Sequence, residues 1–146
     1  MALGARSDPF LAFNFVVEIQ SLVLGGFSDV TGLQKEIEVQ DYREGGVNDY
    51  IHKLSGPARY PSNLVLKRGL TDIDLWNWHE DVTRGVITRR NGSIVLLNAA
   101  GDERWRWDFF GAYPVRWTGP ELRAGTAAVA VEALELVHRG LSARVK

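Results

Sequence analysis

Apolar and polar side chains alternate along most of this chain. Over 11–20, Leu11, Phe13, Phe15, Val17 and Ile19 fall on one face, and Asn14, Glu18 and Gln20 on the other. That is the period of a half-buried strand. Leu22-Val23-Leu24 is a short apolar piece closed by Gly25-Gly26, a turn signal. Alternation returns over 33–42, where Leu33, Ile37 and Val39 point one way and Gln34, Glu36, Glu38 and Gln40 the other. Beyond the polar, double-glycine loop 43–48, residues 50–54 are expected to return as an antiparallel strand. Pro57 and Pro61 lack ladder donors, so 55–61 reads as irregular. Residues 63–68 form a further strand, ending at Gly69.

The pattern changes to a helical one over 71–83. Thr71 is placed to cap, with Asp74 three residues on, and Asp72 and Asp74 favour the positive helix end. Leu75, Trp78 and Val82 recur at helical spacing, so this helix is expected to pack them against a sheet, and Gly85 supplies the stop. Asn91-Gly92, between Val86-Ile87-Thr88 and Ser93-Ile94-Val95-Leu96-Leu97, predicts a tight hairpin turn. Over 104–109 the aromatics Trp105, Trp107 and Phe109 alternate with Arg104, Arg106 and Asp108, the clearest period of two in the chain. Pro114 is expected to mark a bend or bulge before Val115-Arg116-Trp117, and a last long strand spans 126–138.

These elements predict one mainly β (α+β) domain over 1–146, with 1–9 as an N-terminal arm and 140–146 as a basic tail. Short connections favour antiparallel order, and a sandwich or barrel with one helix on its flank is the simplest packing.

Composition changes the picture by exclusion. At 45% apolar and 24% charged residues, the chain can bury a core without covalent staples. It has no cysteine, which removes disulfides and thiolate metal sites. A net charge of −1 gives no basic surface for nucleic-acid phosphates. The first nine residues lack the apolar run of a signal peptide, and no segment approaches the ~20 apolar residues of a membrane span. The expectation is a soluble protein made in the cytoplasm, without membrane anchor or specific nucleic-acid binding.

Candidate chemistry is sparse. His52, His79 and His138 are far apart and lack partners at metal-ligand spacing, so they read as surface or boundary histidines, and no metal or cofactor is expected. No nucleophile elbow, phosphate loop or dinucleotide fingerprint is present, and Gly45-Gly46 reads as a loop tip. Glu36 and Glu38 share a strand face as an acid–base pair would, but a solvated or lumen-facing stripe explains them more simply. Trp105 and Trp107 alternate with arginines as on a single-strand stacking platform, yet the two sets point to opposite faces, so the aromatics are expected in the core.

What remains unusual is strand length. The runs 33–42 and 126–138 exceed the common strand of about 5–6 residues. The second lacks proline and lysine, the usual edge protection, and pairing with identical copies around a closed ring is one way to remove such an edge.

Six blocks in order carry a resemblance. They are Asp8-Pro9-Phe10 with Phe13-Asn14-Phe15-Val16-Val17-Glu18-Ile19; Gly26-Phe27-Ser28-Asp29-Val30-Thr31-Gly32-Leu33; Tyr42-Arg43-Glu44-Gly45-Gly46; and Leu64-Val65-Leu66-Lys67-Arg68-Gly69-Leu70-Thr71-Asp72. Leu75-Trp76-Asn77-Trp78-His79 and Glu132-Ala133-Leu134-Glu135-Leu136-Val137-His138-Arg139-Gly140-Leu141 complete them. The chain resembles the tail-tube (inner tube) protein family of contractile phage tails and extracellular contractile injection systems. The resemblance implies a barrel-like fold with two long β-hairpins, six copies per ring, and rings stacked into a hollow tube within a sheath, capped by a baseplate and spike. It carries no catalytic residue. On that footing Glu36, Glu38 and Gln40 are expected to face the lumen, with Leu33, Ile37 and Val39 on the subunit body. Asp41, Glu44 and Asp49 are expected to meet Arg139, Arg144 or Lys146 of the next ring. A tube initiator joining tube to spike, and a small-ligand-binding barrel, stay open as alternatives.

Overall fold

In the computed structural model, which describes residues 14–22, 26–43, 45–46 and 50–146, nine strands and one helix follow in order among the described residues. They are β1 (Phe15–Ile19), β2 (Asp29–Thr31), β3 (Glu36–Tyr42), β4 (His52–Arg59), β5 (Leu64–Gly69), α1 (Asp74–Thr83), β6 (Arg90–Leu97), β7 (Glu103–Thr118), β8 (Val131–Val137) and β9 (Gly140–Val145). The expected strand residues 11–13, Val23-Leu24, the arm 1–9, and Glu44 and Asp49 lie outside the described residues.

The 16-residue β7 organises the sheet. Its first half pairs with β6 on one edge and β9 on the other, and its second half pairs with β8. From there β1 extends the β6 side, while β5 and β2 extend the β8 side. All pairings are antiparallel. The strand changes partner at Gly111, whose φ of +61° suits a residue without Cβ. Opposite it, β8 gives way to β9 at His138-Arg139. Leu64, Leu66, Leu134 and Leu136 from one half and Val17, Ile19, Ile94 and Phe109 from the other form a single buried cluster, so the two halves enclose one core.

α1 packs on β7, and Leu75 and Trp78 enter that core at 0% and 2% exposure, while Val82 is half-buried. The Trp78 Nε1–H donates to the Thr88 carbonyl at 3.0 Å. The helix starts later than the sequence suggests, because Asp72 rather than Thr71 supplies the oxygen: Asp72 Oδ1 accepts from the Asp74 N–H at 3.0 Å. It stops at Gly85 (φ +88°), where the Val86 N–H reaches the Asp81 carbonyl and the Gly85 N–H that of Val82. Those bonds satisfy two carbonyls that a helix end leaves open.

Several sequence expectations are corrected here. Asn91-Gly92 is not a turn, and 86–88 is not a strand: both residues of the dipeptide lie inside β6. Gly92 is there for close approach, since a Cβ on it would stand 2.3 Å from Phe109 Cζ and 2.6 Å from the Glu18 carbonyl oxygen. Asn91 Oδ1 accepts from the Gly111 N–H at 3.0 Å, satisfying the donor exposed by the bulge opposite. The bulge expected at Pro114 is present, as a register slip between Pro114 and Arg116, and β7 continues through it. The last strand begins at Val131 rather than 126, and the supposed tail 140–146 contains β9, paired residue for residue with 105–110.

Candidate functional site

Two strands stand apart from the sheet. β3 and β4 pair with each other as a separate two-stranded sheet, which among the described residues has no ladder to any other strand. The return arm is longer than expected: β4 runs through Pro57 to Arg59. The register accommodates it, because Gly56 and Pro57 bulge opposite the single residue Glu38. In a hairpin with a free edge the missing proline N–H leaves no ladder bond unmade. A Cβ on Gly56 would come within 3.0 Å of the Glu38 carbonyl oxygen, so the bulge is close against β3.

Alternation along β3 gives the hairpin two faces. One carries Glu36 opposite Arg59, then Glu38, Gln40 opposite Leu54, and Tyr42 opposite His52. The other carries Ile37 opposite Ala58, Val39 opposite Ser55, and Asp41 opposite Lys53. Arg59 Nη2 donates to Glu36 Oε1 at 2.6 Å, and Lys53 Nζ to Asp41 Oδ1 at 2.5 Å. Ile37 and Val39 do not pack on this chain's own body, as the sequence suggested; they are 55% and 57% exposed. Among the described residues no strand of the main sheet pairs with the hairpin. Tyr42, Tyr50 and Leu54 are exposed as well.

The root is fixed by a few contacts. Ser62 Oγ donates to Gln34 Oε1, linking the two ends of the hairpin. Asn63 Nδ2 donates to Glu135 Oε1 of β8 at 3.3 Å. The Tyr60 ring, directly after β4, packs on His138 at a centroid distance of 5.1 Å. Residues 33–35 border a shallow groove whose other wall is Trp107 and Leu141, Ser142 and Ala143.

The charged groups expected to meet between rings are dispersed in one chain. Asp41 sits on the hairpin beside Lys53. Arg144 Nε donates to Asp108 Oδ2 at 3.1 Å, Lys146 Nζ lies 3.5 Å from Glu103, and the Arg139 side chain lies beside Gly111 at the β8–β9 corner. Arg106 donates to Glu103 and, at 3.0 Å, to Glu18. Its hydrogen bond holds the Glu103 carboxyl below the usual carboxylate range, and these carboxylates raise the guanidinium above its own. Arg106 thus stays charged and paired, and Trp107, the next residue, packs against the core. Sequence reasoning missed Arg59 and Lys53 as cross-strand partners of the acidic arm. A signal existed, because the return arm is basic where the outgoing arm is acidic.

Residues 11–142 match the family described as T4-like virus tail tube protein gp19. The chain belongs to this tail tube family. No curated protein is a significant match by sequence. Among solved structures, this tail tube protein is similar to a chain of the anti-feeding prophage (AFP) baseplate, 6-fold symmetrised, with 28% identity, 96% and 98% of the two chains covered, and a TM-score of 0.83. It is similar in fold to a chain of an extracellular contractile injection system, the PVC sheath-tube complex in the extended state, at 23% identity, 94% and 93% coverage and TM-score 0.84. It is also similar in fold to a chain of the AFP tube terminating cap, at 21% identity, 99% and 97% coverage and TM-score 0.87. The antiparallel, mainly β fold with one helix that alternation predicts is the fold of these tube-protein neighbours.

Proposed function

We propose that this chain is a structural, non-enzymatic inner-tube subunit: six copies close a ring, and rings stack into a hollow tube that delivers through a target envelope. The observation that carries the reading is the detached β3–β4 hairpin. A two-stranded sheet is marginal alone in water, and this one exposes Ile37, Val39, Leu54, Tyr42 and Tyr50. A neighbouring copy that supplies a strand and a cover for Ile37 and Val39 stabilises it, and a head-to-tail contact repeated at the right rotation closes a ring. The hairpin then lines the channel with Glu36, Glu38 and Gln40. Arg59 offsets Glu36, so the lining is weakly rather than strongly acidic, which still disfavours adhesion of acidic cargo. Between rings, Asp41, Glu44 and Asp49 face Arg139, Arg144 and Lys146. Since Asp41, Arg144 and Lys146 already hold partners in the chain, stacking shares those charges. The outer surface meets a sheath, and the ends meet baseplate and spike proteins, in a phage tail or an extracellular particle.

A second reading has an observation of its own: the AFP baseplate chain, at 28% identity, is more similar in sequence than the chain of the PVC sheath-tube complex, at 23%. On that reading the chain forms the ring that adapts tube to spike. Electron microscopy of the purified protein tests both. Hollow filaments of six-fold cross-section support the bulk tube, and a single ring that does not extend supports the adaptor. A compact monomer at high concentration by light scattering overturns both.

A further inference from the structure

The assembly hairpin is held to the sheet at a point that carries an ionisable ring. His138 occupies the corner where the chain leaves β8, paired to Tyr113 through Val137, and enters β9, paired to Phe110 through Gly140. Both its ring nitrogens are out of solvent, and among the described residues neither makes a well-formed hydrogen bond; the Gly140 main chain is the one polar group near enough to favour the charged ring. One wall of its site is Tyr60, at 5.1 Å between centroids and 57° between planes. Two residues on, the main chain at Gly140 is also close-packed: a Cβ there would stand 3.4 Å from Phe110 Cδ2 and 4.0 Å from the Tyr60 hydroxyl. Tyr60 is the first residue after β4, so the imidazole is the seat on which the returning arm rests.

Such a seat suits a neutral ring. Burial pushes the imidazole below the ordinary histidine value, outweighing the main chain of Gly140, and no charged side chain contributes. The charged and titratable groups on the surrounding elements are engaged elsewhere. Arg59 binds Glu36, and Glu135 is held by Asn63 and Arg116. Tyr113 lies under Arg89, Asp108 binds Ser93 and Arg144, and Arg139 turns to Gly111. Among the described residues, a proton on His138 therefore has no counter-charge waiting.

We propose that His138 is an acid-sensitive latch on the assembly hairpin, an inference that rests on the assembly reading above. Neutral, it seats Tyr60 and fixes the angle at which β3 and β4 meet a second copy of the chain. Protonated, it leaves the corner for water, Tyr60 loses its support, and pairing with the next copy weakens. The latch contributes in full above the ordinary histidine value and is lost as pH falls below it, because the open state binds the proton more tightly.

The test measures assembly by sedimentation and microscopy between about pH 7.5 and 5.5, where an ordinary histidine titrates. Its variants are His138→Phe, which keeps a ring and removes the charge, and His79→Phe as a control. The critical concentration of the wild type is expected to rise about tenfold on acidification, equal to 1.4 kcal/mol. His138→Phe is expected to stay flat, and His79→Phe to follow wild type. A His138→Phe profile that tracks the wild type overturns the latch. NMR titration of the wild-type histidine rings, on dilute unassembled protein, covers a variant that fails to fold. A His138 resonance titrating below the ordinary histidine range, together with a shift of the Tyr60 ring, supports the latch; ordinary titration without a Tyr60 response overturns it. Absence of assembly at every pH counts against the tube reading, and the NMR measurement then decides the latch separately.

Discussion

Arg68 Nε donates to Glu132 Oε1 at 2.7 Å, and both side chains are 1% exposed. The β5–β8 register sets the two residues directly opposite each other. Around them, Arg68 Nη2 donates to Asp72 Oδ1 at 2.7 Å and Trp117 Nε1 donates to Glu132 Oε2 at 2.9 Å. The guanidinium also lies over the Phe27 ring, at 5.6 Å. One buried pair thus joins β5, β8, the end of β7 and the approach to α1.

Removing one partner of this pair strands a charge in the core. Arg68→Met and Glu132→Leu are each expected to cost about 3–5 kcal/mol of unfolding free energy in urea, as for other broken buried pairs. The double variant is expected to recover much of that loss, because both desolvation costs disappear together. Single variants within about 1 kcal/mol of wild type would show that the pair is not buried as described.

Gly92 has no room for a methyl group between Phe109 and the β1 backbone. Gly92→Ala is expected to lose about 1–3 kcal/mol through overpacking. The loss is expected to be only partly relieved by Phe109→Leu, since the Glu18 carbonyl stays in place. Thermal unfolding of the two variants reads this out, and an undiminished midpoint for Gly92→Ala sinks the argument.

The Asp74 N–H holds the Asp72 carboxyl below its ordinary value; burial opposes this and Arg68 adds to it. A lowered carboxylate stabilises the fold above its unfolded value and ceases to do so as pH falls through the folded one. Asp72→Asn is therefore expected to be less stable than wild type at neutral pH and to close that gap below about pH 4. Melting temperatures across pH check it, and a gap that widens in acid contradicts it.

The hairpin separates folding from assembly. Ile37→Asp and Val39→Asp lie outside the buried cluster, so their unfolding midpoints are expected to stay within about 0.5 kcal/mol of wild type. Sedimentation is expected to show rings and filaments lost, because each copy then carries a charge into the contact. Normal filaments from both variants would mean that this face is not covered on assembly.

Much of the site was legible in the alternation. The outgoing arm over Glu36–Tyr42, the returning arm that begins near 50, and the polar loop between them follow from local pattern and glycine placement. The length of the returning arm was not legible, since Pro57 is tolerated only because a bulge and a free edge relieve it of a ladder bond. Nor did the pattern reveal that 140–145 is a strand: the partner that makes it one is β7, some 35 residues earlier.

The sequence by itself determined that the chain is mainly extended with a single helix, where that helix stops, and that there is no cysteine, because those depend on composition or on neighbours within a turn or two. Only the tertiary structure decided that Asn91-Gly92 is strand, that Arg68 meets Glu132, and that the apolar face of β3 is left exposed by the described residues. Each of these depends on which strand lies alongside and in which register, and that is a balance of packing over the whole sheet.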